Sequence, residues 1–339
     1  MNHLRSRVLF FGMVLLSSFS AGAVSCAAQS EAAVRRFDFT YVTKIPESPA
    51  GAEALRLWIP LPRSDEYQSI ADLKIESPFP YTKHREAEYG NEYVYLQVPP
   101  RPAGPASEIR VRFQVTRREH RVRLVINEHI ADPPAPGSAE LPRFLQADRL
   151  VPIQGVIADL SAQQTKGIEE PLAKARAIYD YVEATMRYDK SGTGWGNGDA
   201  IWACTAKRGN CTDFHSLFIG MLRAAGIPAR FEIGFPLPPD QHGGTIPGYH
   251  CWAQFYLLPY GWIPVDASEA WKHPDKKSYF FGAHDDNRVQ FTTGRDIRLD
   301  PAPAGQPLNY FIYPYAELDG KPVALQSEFS FQDTVQNSR

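Results

Sequence analysis

The chain has 339 residues, a formal net charge of −2 and 43% hydrophobic residues, enough for one large domain or two ordinary ones around a real core. Its basic residues are spread along the sequence, which argues against a nucleic-acid footprint. An aromatic content of 12% with 29 prolines excludes the composition of a disordered chain and points to strands joined by tight connections.

At the amino terminus, Arg5 and Arg7 precede the apolar run Val8 to Leu16, and small residues follow from Ser17 to Ala28. A charged start, a short apolar stretch and a small-residue zone describe a secretory signal. The run is shorter than the roughly 20 residues a membrane span needs. The chain is therefore expected to be exported rather than embedded, either periplasmic or a membrane-anchored lipoprotein. Ala21-Gly22-Ala23 suits ordinary cleavage, whereas Ala23-Val24-Ser25-Cys26 looks like a lipoprotein box. That box would end the signal at residue 26 and put a lipid anchor on Cys26, although Ala23 stands where Leu is usual.

Residues 35–130 read as a β-rich amino-terminal domain. Arg36 to Val42, Ala54 to Ile59, Glu92 to Val98 and Glu108 to Val115 alternate with period two, divided by Pro, Gly and Ser as in a sandwich. A proline-rich linker is expected over 131–150. Pro171 to Met186 then has helical periodicity, with Leu172, Ala175, Ile178, Tyr179 and Val182 on one side and Pro171 in the first turn. Gly192 to Gly198 is a glycine-rich loop without the Lys-Ser/Thr ending of a phosphate cradle. Residues 151–275 are read as the core. From 276 to 339 the chain looks β-rich again, as an extension of that core, with Leu308 to Tyr313 strongly apolar and aromatic.

The segment Gly209-Asn210-Cys211-Thr212-Asp213-Phe214 carries the chemistry. Asn210 can cap a helix and Asp213 can complete a capping box. Leu217, Phe218, Met221, Leu222 and Ala225 supply the buried stripe, and Gly226 and Pro228 end the helix. Cys211 then lies in the first turn, where free N–H groups and the helix dipole favour a thiolate and can also serve a developing oxyanion.

Downstream, Tyr249 to Leu257 and Gly261 to Asp266 read as a hairpin. Alternation puts His250, Trp252, Gln254 and Tyr256 on one face, with Asp266 on the same side for an odd-length loop. Asp266 lies two to four residues from His250 in register, so a bulge or twist has to close the gap. A strand His held by a carboxylate and aimed at a helix-start Cys is an activated-nucleophile arrangement, with Cys211, His250 and Asp266 as catalytic residues. His215, one helical turn beyond Cys211, is assigned to packing or hydrogen bonding. Cys204, Cys211, His215, His250 and Cys251 lack paired metal-ligand spacing, so neither a metal nor a cofactor is expected. With Cys26 set aside the cysteine count is odd, and the assignment that frees Cys211 pairs Cys204 with Cys251.

These motifs, together with Ala224-Ala225-Gly226-Ile227-Pro228-Ala229-Arg230, His250-Cys251-Trp252 and Trp262-Ile263-Pro264-Val265-Asp266, resemble the transglutaminase-like (transglutaminase/protease) superfamily over about residues 170 to 270. The resemblance implies an α+β, papain-like core with the nucleophile helix packed on an antiparallel sheet, preceded by the sandwich-like domain. It also implies thioester chemistry on the amides of a peptide or protein, with hydrolysis and transamidation both open and a cell-envelope substrate the simplest partner. A family aromatic that assists the oxyanion would correspond to Trp195 or Trp202. The calcium loops of the animal crosslinking enzymes have no counterpart here. The competing readings are a non-catalytic envelope module that keeps the fold, and a structural lipoprotein whose Cys211 is oxidised in a disulfide.

Overall fold

Alternating side chains build the first layers. A computed structural model describes residues 32–47, 53–100, 107–124 and 141–334. The amino-terminal strands are β1 (Val34–Ile45), β2 (Leu55–Leu61), β3 (Gln68–Glu76), β4 (Tyr81–Arg85), β5 (Glu92–Val98), β6 (Ser107–Arg118) and the short β7 (His120–Arg121). Along β1 every second residue is buried, which places Phe37, Phe39 and Tyr41 inward with Phe113 of β6. Pro60 lies within β2 although it cannot donate to a ladder. The pairing of β2 on one side stops at Trp58, so the missing N–H of Pro60 breaks nothing there.

The helical part follows as α1 (Val156–Gln164), α2 (Pro171–Thr185), β8 (Arg187–Tyr188), α3 (Ala200–Ala206), β9 (Arg208–Gly209) and α4 (Cys211–Ala224). Pro171 takes the first position of α2 after a Glu170 cap, and the buried residues of that helix are Leu172, Ala175, Ile178, Tyr179 and Val182. α4 is buried from Cys211 to Arg223 on every side rather than along one stripe. It is the central element of the core, wrapped by α1, α2 and α3 and laid on a sheet.

That sheet has the order β13-β12-β10-β15, from β10 (Ala229–Pro236), β12 (His250–Leu257), β13 (Gly261–Val265) and β15 (Arg288–Thr293), all antiparallel neighbours. Between them come β11 (Gly243–Thr245), α5 (Ala267–Lys272) and β14 (Ala283–His284), and after them β16 (Tyr315–Leu318), β17 (Lys321–Val323) and β18 (Gln326–Asp333). The α+β architecture is the expected one.

Of the strands after residue 276, β15 extends the core sheet as expected, whereas β16, β17 and β18 do not. β18 pairs with β1 and β16 with β2, completing two five-stranded sheets of order β11-β18-β1-β6-β3 and β17-β16-β2-β5-β4. An unpaired β1 or β2 edge would leave its ladder groups open, and the returning chain satisfies them. Leu308 to Tyr313 is not a strand either, apart from a bridge between Leu308 and Ile297. It is an irregular strap whose tyrosines reach the site described below. Part of the expected linker, the whole signal segment and Cys26 lie outside the described residues. The described part of the linker includes a 3₁₀ turn, Leu141–Leu145, with Phe144 buried. All described residues belong to one compact unit, and a single hydrophobic cluster runs from Phe39 and Val111 through Phe291 to Phe218. Among the described residues no helix is long and apolar enough to cross a membrane.

Phe329 of β18 ties these layers together. Its ring lies 4.3 Å from Phe235 of β10 and 4.6 Å from Tyr41 of β1. Phe329→Ala should lower the unfolding free energy by about 3–5 kcal/mol, the usual cost of emptying a buried phenylalanine site. A urea melt followed by near-ultraviolet circular dichroism measures it.

Candidate active site

The nucleophile helix starts as its sequence dictates. The Asn210 side chain accepts from the Thr212 N–H at 2.9 Å, and Asp213 Oδ2 accepts from the Asn210 N–H at 2.9 Å, which closes the capping box. The Asn210 carbonyl takes the N–H groups of Asp213 and Phe214. Cys211, the first helical residue, keeps its own N–H without an acceptor among the described residues. Asp213 does more than cap. It also accepts from Gly196 at 2.7 Å and Gly198 at 3.0 Å, and so moors the glycine-rich loop against the helix start. Gly209 is required just before, with φ +148°, because a Cβ there would collide with the Asp213 carboxylate. Arg295, fully buried, holds the same loop from below through the carbonyls of Gly198 and Asn197, each at 2.9 Å.

His250 opens β12 and Asp266 follows the last residue of β13. The connecting turn has three residues, and Leu257 faces Gly261 while Ala253 faces Val265. Continued regularly, that register would set Asp266 opposite Trp252, two residues from His250. The gap closes without a bulge in this hairpin. The strand ends at Val265, and Asp266 turns away as the N-cap of α5 with φ −132° and ψ 84°. His250 Nε2 and Asp266 Oδ2 then meet at 2.7 Å, both fully or almost fully buried. With Nε2 engaged, Nδ1 is the imidazole nitrogen left for the Cys211 sulfur, and each of the two groups shifts the protonation of the other.

The electrostatics favour charge separation. Burial raises the Cys211 thiol, but the neighbouring Cys251 and the imidazolium of His250 hold it well below its ordinary range. Burial depresses His250, yet the Asp266 carboxylate and Cys211 lift it to about 10. Asp266 is raised by burial and brought well below the normal carboxylate range by His250 and by Arg288. The three side chains thus favour a thiolate, an imidazolium and a carboxylate in sequence.

Sequence reasoning missed the supports of Asp266. Arg288 of β15 donates to Asp266 Oδ2 at 3.2 Å and lies 4.7 Å over the Trp252 ring. Ser268 Oγ and the Glu269 N–H donate to Oδ1 at 3.1 and 3.0 Å. No local pattern marks Arg288, because its strand reaches the site only through sheet pairing. His215 has the packing role assigned to it. It donates from Nδ1 to the Cys211 carbonyl at 2.8 Å and accepts at Nε2 from the Ala267 N–H at 3.1 Å, which makes it the neutral Nδ1–H tautomer. Burial lowers its pKa, in agreement.

Two aromatic expectations resolve differently. Trp195 donates its indole N–H to Gly192 at 3.2 Å, within its own loop. Trp202 lies on α3 against Gly194, under the Arg208 guanidinium. Four tyrosines gather near the helix start: Tyr249, with Tyr310 and Tyr313 against its ring, and Tyr188 against Phe214. Tyr249 bonds Asn210 at 3.0 Å and Thr212 at 2.9 Å, and Tyr313 accepts from the Tyr249 N–H at 3.1 Å. A cavity of about 490 Å³ beside the β12–β13 turn, bounded by Arg117, His120, Arg230 and Trp262, contains none of the three central residues.

The expected Cys204–Cys251 disulfide is absent. Cys204, Cys211 and Cys251 are all free thiols. Cys204 sits on α3, whereas Cys251 projects from the opposite face of β12 to His250 and packs under the first turn of α4. Strand alternation sends neighbouring residues to opposite faces, and here the second face carries a sulfur to the nucleophile.

Residues 158–267 match the family model of the transglutaminase-like superfamily. A protein of Haemophilus influenzae with no assigned activity is 28% identical over 327 residues, covering 87% of this chain and 88% of its own. The Bacillus subtilis protein YebA, likewise uncharacterized, is 23% identical over 146 residues, 39% of this chain and 20% of its own. A solved structure from Cytophaga hutchinsonii, assigned provisionally as a cysteine protease, superposes with a TM-score of 0.60 at 17% identity. It covers 91% of this chain and 93% of that one, a likeness of fold.

Asp213→Asn leaves one oxygen to accept what two now accept from three backbone N–H groups. It should lower stability by about 1–3 kcal/mol, the cost of buried donors left unpaired. Chemical denaturation of the variant beside the unmutated protein measures this.

Proposed function

We propose that this chain is a cysteine-dependent acyl-transfer enzyme acting on amide bonds of peptides or proteins through a thioester. The observation that carries the reading is a buried His250–Asp266 pair at 2.7 Å, whose imidazole is electrostatically coupled to the thiol at the start of α4. In the first half-reaction the Cys211 thiolate attacks the amide carbon. The oxygen takes up negative charge near the free Cys211 N–H, a donor at the positive end of the helix. His250 then gives its Nδ1 proton to the amine, the C–N bond breaks, and the acyl group stays on sulfur. In the second half-reaction water or an amine attacks the thioester carbon, His250 takes up the proton released, and the C–S bond breaks to restore the thiolate. Asp266 holds the ring in one tautomer and stabilises the imidazolium throughout. Arg288 is a positioning residue that acts through Asp266.

Hydrolysis is the reading preferred here, since water is always available in the exported compartment that the amino-terminal signal implies. Envelope peptides are the corresponding substrate class. A lipid anchor at Cys26 would hold the enzyme near them.

The pH behaviour follows from the two shifts. Cys211 loses its proton well below the ordinary thiol range, and His250 keeps its proton up to about 10. The reactive ion pair therefore exists between those limits. Below the lower one the sulfur is a thiol, and above the upper one the acid for the leaving amine is gone. Iodoacetamide labelling of Cys211 should proceed well below the usual thiol pKa of about 8.5. In His250→Ala it should shift toward that value. Turnover of amide substrates, once identified from a peptide library, should fall by roughly 10²–10⁴ in the same variant. Labelling of Cys211 that begins only near its ordinary pKa, in a folded protein, overturns the reading.

A further inference from the structure

We propose that Cys211 and Cys251 form a built-in oxidation site, in which a peroxide converts the nucleophile to a reversible disulfide with its neighbour. The first support is placement. Cys251 is fully buried, and its Sγ lies 3.7 Å from Thr212 Oγ1 and 3.9 Å from His215 Nδ1, both in the first turns of α4. After burial, the strongest influence on the protonation of each of these two thiols is the other sulfur. Cys204, the remaining described thiol, is partly exposed on α3, and no sulfur contact joins it to this pair.

The second support is that the proposed acyl transfer leaves Cys251 without a chemical task. Its sulfur stands against the first turns of α4, the helix that begins with Cys211. The two sulfurs also differ in kind. Cys211 is the activated one and carries the nucleophilic charge, so it meets an oxidant first. Cys251 is held as a neutral thiol by burial and by the negative charge on Cys211. Oxidation of Cys211 removes the second of these causes and frees Cys251 to react.

The steps balance. The Cys211 thiolate attacks one oxygen of hydrogen peroxide, the O–O bond breaks, and the departing hydroxide takes a proton to leave as water, with sulfenic acid on Cys211. Cys251 then attacks the Cys211 sulfur, the S–O bond breaks, and the hydroxide leaves as water with the Cys251 proton. Two thiols and one peroxide become one disulfide and two waters. A dithiol reverses the reaction by exchange. While the disulfide stands, Cys211 cannot attack an amide, and it is also shielded from sulfinic acid.

The full chain treated with a small excess of hydrogen peroxide tests this, with free thiols blocked and peptides mapped by mass. The unmutated protein and Cys204→Ser should lose iodoacetamide labelling at Cys211, yield a Cys211–Cys251 crosslinked peptide, and recover labelling after dithiothreitol. In Cys251→Ser, whose labelling before treatment verifies its fold, Cys211 should pass to sulfinic acid and stay unlabelled after dithiothreitol. Sulfinic acid forming equally fast in both proteins, or a crosslink to Cys204, overturns the proposal. So does a Cys211 that labels at neutral pH but never forms the crosslink, an outcome that leaves the acyl-transfer reading intact. A Cys211 inert to both reagents overturns both.

Discussion

The buried carboxylate of Asp266 is the group on which the site depends. It is removed from solvent, and an ion in such a place persists only when opposite charge and hydrogen bonds replace its water. Four groups do so: the imidazole of His250, the guanidinium of Arg288, the hydroxyl of Ser268 and the N–H of Glu269. The negative charge held there raises His250, and the raised His250 in turn lowers Cys211. One carboxylate therefore sets the protonation of two other groups. Its position is equally constrained, because it caps α5 with the same side chain that orients the imidazole.

A second carboxylate organises the other side of the cleft. Asp213 has no charged partner within salt-bridge distance among the described residues and relies on three backbone N–H groups. Those bonds join the glycine-rich loop to the first turn of α4. The four glycines with positive φ at 192, 194, 196 and 198 let the loop fold tightly enough to offer its N–H groups inward. Arg295 takes the outward carbonyls from below. The nucleophile is thus fixed by a cap, a loop and a buried arginine drawn from three separate stretches of chain.

The amino-terminal sheets and the core are one body for a related reason. β1 and β2 each need a neighbour, and the chain returns from the core to supply β18 and β16. The strap that precedes β16 passes the site on its way and leaves Tyr310 and Tyr313 beside Tyr249. The closing of distant sheets and the walls of the cleft are consequences of the same return.

Local chemistry in the sequence determined the nucleophile helix, its capping box, the face of α2, the strand carrying His250 and the strand that leads to Asp266. Caps, helical periodicity and strand alternation involve residues a few positions apart, so each can be read without knowing the fold. The resemblance of these motifs to one superfamily extended that reading to the core as a whole. Tertiary structure alone decided the rest. Arg288 and Arg295 reach the site from 22 and 79 residues beyond the side chains they hold, Asp266 and Ser216. The carboxy-terminal strands joined the amino-terminal sheets, and the final approach of Asp266 to His250 came from a strand ending where α5 begins. Cys251 shows the limit most clearly. Counting cysteines paired it with Cys204, whereas the face of β12 that packs on α4 set it against Cys211. Which partner a side chain meets across 40 residues depends on how elements pack, and no local pattern encodes that.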